Sequence, residues 1–160
     1  MTTPRSFEFT GLEKVIIVGV TVHQIRATRD IPSAGVKAGD VGGWIESAEL
    51  TNGDARVSGD AWVSGNAQVS GDARVERTWD YIAVGPIGSE NVTATLVRTG
   101  TGHLLNVCCW TGTLDGLRAE VEKRRRGWGA DAAVQEVWVA QYEALFAMGM
   151  ATASRWEARS

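Results

Sequence analysis

The stretch best suited to holding an anion is Gly85–Asn91, which reads Gly-Pro-Ile-Gly-Ser-Glu-Asn. Two glycines around a proline can turn successive backbone N–H groups toward one point, and such a concave nest favours phosphate or carboxylate. Trp79, Asp80, Tyr81 and Trp110 bracket it in sequence, and aromatic rings beside an anion nest suit a planar, nucleotide-like ligand. Gly85, Ile87, Gly88, Ser89 and Asn91 with those four are therefore candidate ligand contacts; the competing reading is a plain turn between two elements. His103 joins the set, although a lone histidine more often satisfies a structural hydrogen bond than performs catalysis. Arg56 and Arg74, which a repeat described below turns outward, could reach a ligand held at a boundary between subunits. Arg124–Arg126 reads first as a solvated helix end favoured by the dipole, but three guanidiniums can also hold a phosphate.

No catalytic set accompanies these residues. Only two histidines, His23 and His103, and two adjacent cysteines, Cys108 and Cys109, occur in the 160 residues. Neither pair has the spacing of a metal site, so no metal and no cofactor is expected. The cysteines alternate across an apolar run, which sets one toward the core. A net charge of −3 disfavours nonspecific DNA binding. No stretch has membrane length and Met1–Glu8 lacks the apolar core of an export signal, so the expectation is the reducing cytoplasm of a bacterial host, away from DNA and membrane.

The elements that must position these residues begin with a repeat. Gly53–Glu76 reads GDARVS, GDAWVS, GNAQVS and GDARVE, with Val57, Val63, Val69 and Val75 in one phase and Ala55, Ala61, Ala67 and Ala73 two residues earlier. A period of six is neither the alternation of a strand nor the 3.6 of a helix, and points to a coil wound on itself. Valine and alanine face inward, Gly-Asp and Gly-Asn make the corners, and Arg56, Trp62, Gln68 and Arg74 project outward. Ahead of the repeat, Lys14–Val20 and Thr21–Thr28 read as strands, and Val36–Glu46 as a glycine-rich lead-in. After it come strands at Trp79–Val84, Val92–Arg98 and His103–Trp110. Helices follow from an N-cap at Thr113 through Arg126, and from Asp131 to about Met150, with a loose polar end.

An aliphatic residue followed four later by a small one, as Val57 with Ala61 and Val63 with Ala67, resembles the hexapeptide-repeat, left-handed parallel β-helix family. The resemblance implies three hexads per triangular coil and, for so short a column, association into a homotrimer. The fold class expected is thus mainly β with an α/β cap: a short left-handed parallel β-helix preceded by β-strands and followed by a small sheet and two helices. Three segments follow: 1–35, an N-terminal β segment; 36–78, the coil; and 79–160, the cap. The acyltransferases on this coil use a histidine beside the repeats and the γ-class carbonic anhydrases three histidine ligands, and the chain matches neither pattern.

The order VKAGDVGGW, GDAxV coil, DYI, GPIGS, a cysteine-containing strand and GTLD is similar to phage and prophage proteins with hexapeptide repeats and a small C-terminal cap. The chain departs at Glu90, where the resemblance leads one to expect arginine, and at Val107–Trp110, where Cys-x-Cys with an aromatic is usual. What the resemblance and the absent catalytic set imply together is a non-catalytic trimer. It would bind a small anionic, nucleotide-derived ligand at subunit boundaries and so sequester a host immune signal. The alternatives are an assembly protein docking a protein partner, and a degenerate acyltransferase.

Overall fold

The computed structural model describes residues 5–16, 19–51, 56–59, 61–63, 69 and 73–157. Ala55, Ala67 and Gln68 of the repeat lie outside the described residues. Strand β1 (Phe7–Val15) runs antiparallel to β2 (Thr21–Ala27), which pairs antiparallel with β3 (Val41–Ile45). The first strand starts well before the Lys14–Val20 run, because Phe7 and Phe9 pair with Ala27 and Ile25 and Phe7 packs on the core. Val41–Ile45 is a strand rather than a lead-in loop, and its glycines are a matter of space. A Cβ on Gly42 would stand 2.7 Å from the Val57 carbonyl oxygen, and one on Gly43 2.8 Å from that of Ala61.

Within the repeat, β4 (Arg56–Val57) and β6 (Arg74–Val75) pair in parallel, β5 (Trp62–Val63) pairs in parallel with β3, and Thr51 bridges Val69 in the same sense. Val57, Val63, Val69 and Val75 are buried with Ala61 and Ala73, as their shared phase requires. Burying one such valine contributes about 1.5–3 kcal/mol. They form one core with Ile25, Ile45, Leu50 and Val97. The segments expected at 1–35 and 36–78 therefore share a single interior.

The fold departs from the expected class, mainly β with a short left-handed parallel β-helix and an α/β cap. A left-handed parallel β-helix is not shown: among the described residues the parallel pairings of the repeat are only two residues long, or a single bridge at Thr51↔Val69. Four hexads supply too little chain for a stacked column, and antiparallel pairing on either side takes over. The molecule is a mixed α and β structure of small sheets with two helices. The inference of three-fold association rested on the column and loses that support.

The second half is an antiparallel sheet in the order β10-β9-β8-β7, formed by β7 (Tyr81–Ile87), β8 (Val92–Arg98), β9 (His103–Val107) and β10 (Trp110–Gly112). Helices α1 (Leu114–Arg125) and α2 (Ala132–Glu157) cover one face. β8 is buried on both sides. Ala94 and Leu96 meet the helices while Val97 enters the repeat core, which is why its sequence is a nearly continuous apolar run. α2 passes Met150 and reaches Glu157, because Ala153 and Trp156 continue the inward face of Tyr142, Leu145 and Gly149. The Trp156 indole N–H donates to the Trp79 carbonyl at 2.9 Å, so the stretch expected to be loose is tied down as far as Glu157.

The close approach at Gly43 gives a direct test. Gly43→Ala should lose about 1–3 kcal/mol in urea unfolding, since the Ala61 carbonyl oxygen and the buried Val57 side chain both block the new methyl group. Gly129→Ala, with no atom within 4 Å of its Cβ position, should change stability by less than about 0.5 kcal/mol.

Candidate functional site

The twelve residues singled out from sequence fall in three places. Arg56 and Arg74 project from the repeat onto the short turn Pro32–Ala34, where their guanidiniums donate to the carbonyls of Ala34 at 3.3 Å and Ser33 at 2.6 Å. Both fasten the N-terminal loop to the repeat. The rest divide between opposite ends of the second sheet, because β7 continues through Tyr81–Ile87, with a shift of register between Val84 and Ile87, and a seven-residue strand spans roughly 20 Å.

Trp79, Asp80, Tyr81 and His103 stand at one end. Asp80 is 2 % exposed, and its Oδ2 accepts the backbone N–H groups of Glu76 and Arg77 at 2.9 and 3.0 Å. Arg98 closes on the same carboxylate, its Nε 3.4 Å from Oδ1, and also pairs with Glu76. Trp79 lies under the guanidiniums of Arg77 and Arg155. The ring Nε2 of His103 accepts the Leu114 N–H at 3.0 Å, so this histidine caps α1, whereas Thr113 makes no side-chain cap. A cleft of about 340 Å³ opens here between the Thr99–Gly102 turn, Trp156 and Glu157. Its one lining guanidinium, Arg98, is already engaged by Asp80 and Glu76, and Glu157 adds a carboxylate to the wall, which disfavours an anion.

The Gly85–Asn91 stretch lies toward the other end. Gly85 and Ile87 belong to β7, with a cis bond between Gly85 and Pro86, and Gly88–Asn91 is a hairpin turn into β8. Two of its N–H groups serve the fold: Gly88 donates to Gln141 Oε1 at 2.9 Å and Asn91 to the Gly88 carbonyl at 3.3 Å. Those two donors are therefore not available to a nest in this loop. Gly88 has a φ of 71°, and a side chain there would collide with the Tyr142 hydroxyl. Trp110 lies over Gly112 and Gly116 and packs on the helical core.

Beside this turn is a groove of about 580 Å³, lined chiefly by Ser89, Glu90, Lys123, Arg124, Trp128 and Trp138. Ser89 is the sole member of the sequence set that it contains. Its floor is built by α1 and the link to α2. The Asp131 side chain accepts the Val134 N–H at 3.0 Å and starts α2, and Gln135 Nε2 donates to the Ala130 carbonyl at 2.7 Å, which pins the link carrying Trp128. Trp128 meets Trp138 edge to face with centroids 5.1 Å apart. Arg124 is held by Glu120 Oε1 at 2.9 Å, by the Val107 carbonyl at 2.9 Å and, more loosely, by Glu90 at 3.7 Å. Burial works against its charge, but the Glu120 bond, Tyr142 and Glu90 together hold its pKa above the ordinary value. Burial likewise pushes the Tyr142 phenol up. Lys123 is exposed and forms no ion pair among the described residues.

Cys108 and Cys109 form the β9–β10 turn at this same end and both are exposed, so neither faces the core as strand alternation predicted. Desolvation, with Glu90 adding to it, raises the Cys108 thiol above its usual pKa. Among the described residues no cluster suits a metal ion. Sequence reasoning missed Lys123, Trp128 and Trp138 as site residues. The signals were the Arg124–Arg126 run next to Lys123 and a chain with seven tryptophans. Comparison of the chain with protein-family models, curated proteins and solved structures found no match.

Because Asp80 serves two backbone donors and a guanidinium, its loss should be felt in stability. Asp80→Ala should cost about 3–5 kcal/mol by urea unfolding, most of it from leaving two N–H groups without their acceptor and Arg98 with Glu76 alone. A loss below about 1 kcal/mol would contradict that assignment.

Proposed function

We propose that the protein binds, without transforming it, a small anionic ligand that carries a planar group, and that a nucleotide is the chemical class that fits. The observation that carries this reading is the groove between the Gly88–Asn91 turn and the α1–α2 link, where a tryptophan pair stands beside the Ser89 hydroxyl and the ammonium of Lys123, which has no ion pair among the described residues. Aromatic surface contributes about 1–3 kcal/mol per stacked base, and an unpaired ammonium is a point charge ready for phosphate. The volume falls in the usual range for small-molecule sites.

The non-catalytic part of the proposal is supported by the Cys108 thiol, which desolvation and Glu90 keep in its protonated, weakly nucleophilic form. Two free, exposed cysteines favour a reducing cytoplasm as the place of action. None of the described helices is long and apolar enough to cross a membrane. Sequestration of a host nucleotide signal by a phage-type protein is the use that such a binder would have.

The second reading is an assembly role through self-association. It is favoured by the outward face of α2, where Ala133, Val137, Ala140, Ala144, Ala147, Met148 and Ala151 are all exposed. Light scattering tests it: a sister copy covering this face gives an oligomer that Ala144→Glu dissociates, and a monomer at micromolar concentration removes the reading.

Calorimetry with nucleoside monophosphates and cyclic dinucleotides tests the main proposal. Binding should fall about tenfold or more in Trp138→Ala and in Lys123→Glu, and stay within twofold in Trp79→Ala at the opposite end of the sheet. The released ligand should be chemically unchanged. Absence of binding across the panel overturns the proposal, and turnover overturns its non-catalytic part.

A further inference from the structure

Arg124 has two carboxylate neighbours of different kinds. Glu120 lies one helical turn earlier, is 14 % exposed in its side chain and bonds to Nε at 2.9 Å. Glu90 comes from the hairpin turn, is 55 % exposed and stands 3.7 Å from Nη1, an ion-pair distance beyond hydrogen-bond length. Glu120 therefore belongs to the support of the guanidinium and Glu90 to the groove that the guanidinium faces. Glu90 is nevertheless kept there by the backbone. The turn that carries it is anchored by the Gly88 N–H on Gln141, and Gly88 and Asn91 on either side both have positive φ.

We propose that Glu90 is a built-in competitor at the Arg124 end of the groove, occupying the place that the anionic group of a ligand would take, so that binding requires this carboxylate to be displaced. The inference rests on the groove being the anion site argued above. Two like charges cannot share Nη1 without repulsion, and the looser and more exposed carboxylate is the one that yields. The turn can release it at little cost, because a 3.7 Å contact to a half-exposed side chain contributes little stability. Lys123 has no such competitor among the described residues. A ligand anion would thus meet Lys123 first and reach Arg124 only by moving Glu90. The device makes the groove selective: a weakly charged metabolite does not displace the carboxylate, whereas a ligand with a full phosphate and an aromatic group on the tryptophans does.

The test is calorimetric titration of AMP, with adenosine as the uncharged counterpart, into the wild-type protein, Glu90→Gln and Glu122→Gln. Glu122 pairs with Arg125 outside the groove, so its variant removes one negative charge from the same helix end without touching the competitor. The expected result is AMP affinity at least tenfold higher in Glu90→Gln, within twofold of wild type in Glu122→Gln, and adenosine affinity unchanged by either. AMP bound equally or more weakly by Glu90→Gln overturns the competitor while leaving the groove as the binding site. Equal gains in both variants overturn it too, by assigning the effect to net charge. No AMP binding by either wild type or Glu90→Gln removes the competitor together with the anion site on which it rests.

Discussion

Burial of β8 on both faces is the constraint on which the rest of the molecule depends. Ala94 and Leu96 close the helical core and Val97 closes the core of the repeat, so one strand belongs to two interiors. Neither half could shift relative to the other without uncovering one of those faces. Fixing β8 also fixes which residues meet at each end of its sheet. Arg98 lies opposite His103 at one end, while Ala94 lies opposite Val107 near the other. α1 then runs back from the His103 end, where that ring receives its first N–H, to Arg124 over the Val107 carbonyl.

The two ends differ in charge because of what each carboxylate is bonded to. At the Asp80 end, the carboxylate is consumed by two N–H groups and Arg98, so it acts as a structural knot at the joint between the repeat and β7. At the Ser89 end, Arg124 is braced from behind by Glu120 and a backbone carbonyl while Lys123 faces solvent. The groove thus has aromatic walls and, among the described residues, a cation that makes no ion pair. The other end has spent its polar groups on the fold.

Some of this was legible in the sequence. The inward phase of the four valines and the limits of α1 followed from periodicity, since burial at those positions is local to the repeat or the helix. The column did not follow. A hexad states which side chains point inward, but how many times the chain circles depends on how much of it repeats, and pairing of β2 with β3 took the segment before the repeat into an antiparallel sheet. The loop expected at Gly85–Asn91 took in the last three residues of a strand, Gly85–Ile87, ahead of the turn itself. Nothing local says that Gly85–Ile87 continues β7, and that continuation is what carries Trp79 and Asp80 to the opposite end from Ser89. Trp128 and Trp138 come to Ser89 from about forty and fifty residues further along, a distance over which only the folded chain decides proximity.

The central claim is that ligand recognition lives at the Ser89–Trp138 end of the sheet and nowhere near Asp80. Seven tryptophan indole N–H signals make that claim visible in a single ¹⁵N correlation spectrum recorded while AMP is titrated into the protein. The account predicts that the indole signals of Trp128 and Trp138 move progressively while those of Trp79 and Trp156 stay in place. Movement confined to Trp79 and Trp156 would contradict it and transfer the site to the cleft beside Arg98.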